Sequence, residues 1–133
     1  MTNAEKSQLV MARILEKAME MGIQEWMLSF GELELGEDFE DFFFPCLEWL
    51  ESEGFIRVQG YNRYLGGAAK GNVQNVHITS FGQSVLRREV NITGESEMLS
   101  ETVKSVSREP ASYSQFGDFL GSLLGGFTKS IGS

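Results

Sequence analysis

The 133 residues, net charge of −8 and pI near 4.6 fit one domain with an extension, and as an average they oppose nucleic-acid binding, which needs positive charge to displace condensed counterions. Cys46 and His77 are the single cysteine and histidine, which excludes a disulfide within the chain and a Cys/His zinc set from one copy. No stretch approaches the roughly 18 apolar residues of a membrane span, and residues 1–6 are polar rather than a basic flank leading into an apolar run, so a reducing cytosol is the expected setting.

Thr2 and Glu5 have the spacing of a capping box. Val10, Met11, Ile14, Leu15, Ala18, Met19 and Met21 then share one side of a helix that Gly22 should stop. Arg13, Glu16, Lys17 and Glu20 lie opposite, yet the apolar arc spans roughly 200°, wider than the ~100° stripe of a singly packed surface helix. This helix is expected to meet the core and, on its remaining apolar side, more of its own domain, the C-terminal segment or a second subunit.

Trp26, Leu28 and Phe30 alternate like a short strand ahead of an acidic stretch at 31–38. A second helix runs to Glu53 and ends at Gly54. It starts either near Asp38, with a kink at Pro45, or near Phe44, with Phe39, Phe42 and Phe43 as an aromatic entry, because proline is comfortable only in a first turn. Either start turns Cys46, Leu47 and Leu50 inward and puts Phe44 with Glu48 and Glu51 on the polar side, which makes Phe44 the best candidate for an exposed aromatic contact, the alternative being that local irregularity buries it.

Residues 55–58 read as a strand, 60–72 as a glycine-rich loop and 73–79 as a returning strand, with Val76 and Ile78 on one face and His77 on the other. Ser80 and Gln83 repeat the capping-box spacing and open a short helix to about Val90. A loop at 91–94 leads to a helix over 95–106 with Met98, Leu99, Val103 and Val106 on one side, ended by Pro110.

After a linker at 111–115, Phe116, Phe119, Leu120, Leu123, Leu124, Phe127 and Ile131 form an apolar stripe at helical spacing. Gly117, Gly121, Gly125 and Gly126 on the reverse face disfavour an isolated helix by about 3–4 kcal/mol relative to alanine. The stripe is therefore expected to be helical only when covered by its own domain, another copy or a membrane interface. Asp118 balances Lys129, unlike the lysine-rich face of a membrane-surface helix.

Charge is distributed unevenly. Residues 1–53 carry −10, residues 54–88 carry +5 and residues 89–133 carry −3. Arg57, Arg63, Lys70, Arg87 and Arg88 lie in a stretch without a carboxylate, either a solvated hairpin edge or a contact surface for an acidic partner. The opposite charges of the first two segments also allow self-association.

Catalytic and ligand motifs are weak. GGAAKG at 66–71 lacks the Gly-Lys-Ser/Thr ending of a phosphate loop, the acidic run from Glu32 to Asp41 lacks calcium-loop ligand order, and Cys46 sits on an apolar helix side with nothing to activate it. No catalytic residue, metal or cofactor is expected.

The order helix, short strand, helix, hairpin, short helix, with LEWLESEGFIRV at 47–58 and VHITSFGQSVL at 76–86, resembles winged helix-turn-helix domains, in particular uncharacterised winged-helix proteins of bacteria and prophages. The likeness covers about residues 5–90. It implies an α+β fold: a winged-helix domain over 1–92 with a two- or three-stranded antiparallel wing, a helix and linker over 93–112, and a C-terminal helical extension over 113–133. The helix ending at Gly54 would take the recognition position and residues 59–74 the wing.

That helix and its approach offer six carboxylates and no Lys or Arg, the wrong chemistry for a major groove. Phosphate contact would fall to Arg57, Arg63 and Lys70. The first expected function is non-enzymatic protein association through Phe44, Glu48, Glu51 and the tail stripe, with a homodimer or other homo-oligomer as the natural assembly. The alternatives are a dimeric DNA-binding regulator that contacts phosphates through the wing, and a small acidic inhibitor or immunity protein.

Overall fold

Helix α1, Asn3–Met21, starts where the capping box is read: the Glu5 amide donates to Thr2 Oγ1 at 3.1 Å and the Thr2 amide donates to Glu5 Oε1 at 3.0 Å. Gly22, at φ 70°, stops it. The computed structural model describes residues 1–91 and 95–108; the tail stripe, Pro110 and the linker expected at 111–115 lie outside the described residues.

Strand β1, Met27–Leu28, follows, and the acidic stretch folds as two 3₁₀ turns, Phe30–Leu33 and Glu37–Phe42. Helix α2, Phe43–Ser52, begins one residue before Phe44, so Pro45 falls in the first turn, where its missing N–H has no intrahelical partner to lose. Of the two expected starts, the structure matches the aromatic entry: Phe39 and Phe42 are half-buried in the preceding turn, and Phe43 is fully buried in the helix.

Strands β2, Ile56–Arg57, β3, Gly60–Arg63, β4, Gly71–Gln74, and β5, His77–Ile78, make one long antiparallel hairpin. A single register runs through it, from Ile56↔Ile78 to Arg63↔Gly71, so the first residues of the expected loop are themselves strand. Strand β1 pairs with β4, giving the order β1-β4-β3. The ladder is interrupted at Asn75, a non-glycine residue at φ 54°, a region that Asn tolerates better than most. Asn75 exchanges bonds with Trp26, accepting from its amide at Oδ1 and donating its own amide to the Trp26 carbonyl. The Trp26 indole donates to the Val76 carbonyl at 3.1 Å. These bonds tie the approach to β1 onto the hairpin.

Helix α3, Ser80–Leu86, is capped by Thr79 rather than by the expected Ser80. Thr79 Oγ1 accepts from the Gly82 amide at 3.0 Å and its hydroxyl donates to the Gly54 carbonyl at 2.5 Å, so one hydroxyl starts α3 and holds the end of the α2 turn. Thr79→Ala should cost about 1–2 kcal/mol, read as a lower urea midpoint at unchanged slope.

Strands β6, Glu89–Val90, and β7, Glu97–Met98, pair before helix α4, Leu99–Arg108. Leu99, Val103 and Val106 are fully buried, whereas Met98 ends in β7 and is exposed, a correction to the expected helical face. The second neighbour of the wide arc of α1 is α4, from the same domain. Arg13, assigned to the polar side, bridges the two helices: its guanidinium donates to the Ser107 carbonyl at 2.7 Å and the Leu33 carbonyl at 2.6 Å. The fold is thus mixed α+β, with α1 at the centre between α2 and α4 and small antiparallel sheets beside them.

Candidate functional site

Helix α2 is packed on two sides. Cys46, Leu47 and Leu50 are buried, as helical spacing predicts. The opposite face, carrying Phe44, Glu48 and Glu51, is covered by β3. Arg63 sets its guanidinium 4.6 Å from the Phe44 ring centroid and Nη1 at 3.1 Å from Glu48 Oε1. The Tyr61 hydroxyl donates to Glu51 Oε1 at 3.0 Å, and its ring lies 6.4 Å from that of Phe44. Burial, then the hydrogen bond to Glu51, raise the Tyr61 phenol well above its ordinary pKa, so it remains a donor.

Phe44 is fully buried, which corrects its expected role as an exposed contact. Periodicity groups Phe44 with Glu48 and Glu51, and the structure keeps that grouping. Periodicity carries no information about a later strand folding over the group. The basic hairpin and the acidic helix, whose opposite charges suggested self-association, meet here within one chain through Arg63 and Glu48. Both side chains are about half exposed, 54% and 52%, so the pair contributes under about 1 kcal/mol and works mainly as a positional match.

The three expected phosphate contacts do not form one patch. Arg63 is engaged as described. Arg57 is exposed opposite His77, and Lys70 is exposed beside the hairpin tip; neither has an ion-pair partner among the described residues. Arg57 and Arg63 are six residues apart along the hairpin, about 20 Å at strand rise.

A different feature lies between α1 and α2. Met11, Phe42, Pro45, Cys46 and Trp49 line an apolar groove of about 460 Å³, with Gln8 in its wall. Among the described residues no charged side chain lines it. Pro45 is exposed, Phe42 and Trp49 are half-buried, and Gln8 is 3% exposed with no donor to its Oε1 among the described residues. Phe42, Cys46 and Trp49 recur at i, i+4 and i+7, a second apolar stripe beside Leu47 and Leu50. That spacing is the sequence signal for the groove, hidden because a helix with two packed sides and a third apolar edge reads simply as hydrophobic.

Cys46 gives the groove no nucleophile. Its thiol donates to the Ser7 carbonyl at 3.5 Å, and burial pushes its pKa up to about 12, so it is a neutral thiol near pH 7. His77 is bonded to the Gln24 carbonyl at 2.8 Å, and no hydrogen bond joins it to Cys46.

Two further recesses carry charged side chains. One, of about 440 Å³ between α1, the first 3₁₀ turn and the end of α4, carries Glu16, Glu20, Glu32 and Glu34 against Arg13, Lys17 and Arg108. The other lies under the hairpin tip, beside Phe30, Glu40 and Lys70. Among the described residues no group of three or more His, Cys, Asp or Glu is placed to hold a metal ion, and no helix is long and apolar enough to cross a membrane. No family model, curated protein or solved structure matches the chain.

Proposed function

We propose that the chain is a winged-helix module that works by protein association, without catalysis and without base readout, and that its contact surface is the groove between α1 and α2. The strand order β1-β4-β3, with α2 ahead of the hairpin and α3 behind it, supports the winged-helix reading. The 3₁₀ turns stand where a helix-turn-helix would carry its first helix.

One observation carries the association reading: a concave surface without a charged side chain among the described residues, with Trp, Met and Phe side chains at its rim and floor. These residue types anchor protein contacts and adapt to an apolar helix laid in a groove. The tail stripe remains part of the proposal as a contact segment. Glu48 and Glu51 leave it, since β3 already engages both. The phosphate-binding alternative is weakened for the same reason, with Arg63 held by Glu48 and Phe44.

Pro45→Arg puts a charge at the exposed mouth of the groove without disturbing a buried side chain. The full-length variant is expected to lose proteins that the wild-type chain retains from a lysate, and neither should shift duplex DNA at about 50 mM salt. A duplex shift lost in Arg57→Ala and Lys70→Ala would overturn the proposal in favour of phosphate contact.

A further inference from the structure

Three features of the molecule bear on what fills this groove. The first is chemistry. Among the described residues the groove has no charged lining side chain and its buried Gln8 oxygen has no donor, so an acidic or basic peptide finds no ion-pair partner there, whereas an apolar surface with small polar neighbours matches it. The chain carries such a surface: residues 116–127 place Phe119, Leu120, Leu123 and Leu124 on one stripe, with glycine and serine between them.

The second is reach. Arg108, the last residue of α4, is bonded to Glu16 at 3.1 Å, and the Ser107 carbonyl accepts from Arg13. The described chain therefore ends beside the middle of α1. Gln8 and Met11 lie five to eight residues earlier on that helix, about 8–12 Å along its axis, and on its far side. For a helix about 10 Å across, half a turn of its circumference combined with that rise makes the path around and along it about 20 Å. Residues 109–115 can span up to about 24 Å.

The third is concentration. A linker of that length holds the stripe at an effective concentration in the millimolar range, which favours the chain's own stripe over that of a second copy at ordinary protein concentrations.

We infer that the groove between α1 and α2 is the seat of the chain's own C-terminal apolar stripe, residues 116–127, docked against Met11, Phe42, Cys46 and Trp49. The inference rests on reading the groove as a docking surface, and it adds a built-in competitor. An outside partner must displace the stripe, so measured affinity is lowered by the fraction of time the groove is closed.

The single cysteine supplies the test. In the full chain, Phe119→Cys, Leu120→Cys, Leu123→Cys and Leu124→Cys are made one at a time, with Ser122→Cys on the reverse face as control. Each is equilibrated in a glutathione redox buffer, and a disulfide to Cys46 is identified by peptide mapping. At least one stripe position should form the disulfide within a monomer, at ten times or more the yield of Ser122→Cys. Equal yields at all five positions would overturn intramolecular seating, as would no disulfide at any position once Cys46 of the wild-type chain is shown to form a mixed disulfide with glutathione in the same buffer, since its buried thiol is slow to ionise. Disulfides found only between two chains would also overturn it, and would assign the groove to the stripe of a second copy. If seating fails while Pro45→Arg still abolishes partner retention, the docking reading survives without its competitor. Loss of both results removes the groove from consideration.

Discussion

Phe44→Ala is expected to destabilise the protein by about 3–5 kcal/mol, the range for truncating a fully enclosed phenylalanine. The ring has no exposed surface. It packs edge-on against Phe43 at 4.9 Å, lies 6.4 Å from Tyr61 and carries the Arg63 guanidinium at 4.6 Å. Truncation would leave a cavity between α2 and β3 and remove the aromatic floor on which Arg63 rests. In a domain of this size the loss should lower Tm by about 10–20 °C. An exposed phenylalanine would cost no more than about 0.5 kcal/mol, so thermal unfolding separates the buried and exposed readings decisively. Arg63→Ala should cost far less, because both partners of its ion pair remain about half in water.

Gly82→Ala should also destabilise, by about 2–3 kcal/mol, although the position is helical and propensity alone predicts a gain of up to about 1 kcal/mol. A Cβ there would overlap the Phe55 carbonyl oxygen and stand 2.9 Å from Ile78 Cγ2. The first obstacle is backbone, fixed by the β2–β5 pairing and by the Thr79 amide bond to the same carbonyl, so neither side can yield cheaply. Urea unfolding of this variant against wild type gives the sign. A stabilised Gly82→Ala would mean that α3 packs farther from Phe55 than described.

Much of the fold is legible in the residues because its signals are local. Thr2 and Glu5 start α1, Gly22 stops it, Pro45 limits where α2 can begin, and alternation at Val76 and Ile78 marks a strand with one buried face. Other features depend on residues far apart in sequence. Nothing near Phe44 announces that Tyr61 and Arg63 will cover it, and nothing near Arg13 announces the Ser107 carbonyl. The cap of α3 was displaced by one residue because Thr79 and Ser80 are both competent caps; the choice falls to Thr79, whose hydroxyl can also reach Gly54. The candidate groove was the least legible element. It is bounded by two helices, and its lining residues are individually ordinary core or rim side chains. Only Phe42, Cys46 and Trp49, taken together, hint at an edge that neither α1 nor β3 fills.

The bridge from Arg13 to the Ser107 carbonyl spans 94 positions, and the helix it secures is the last one described. An N-terminal helix with an apolar arc of roughly 200° cannot close that arc with α2 alone. During synthesis, α1 leaves the ribosome long before α4 and waits with part of its apolar surface open to solvent or to other chains. The pairing that completes the core is therefore the one with the greatest loop-closure cost, and it forms after the local hairpin and capped helices. The order of construction departs from the order of the chain: α1, made before α4, is among the last helices to be finished.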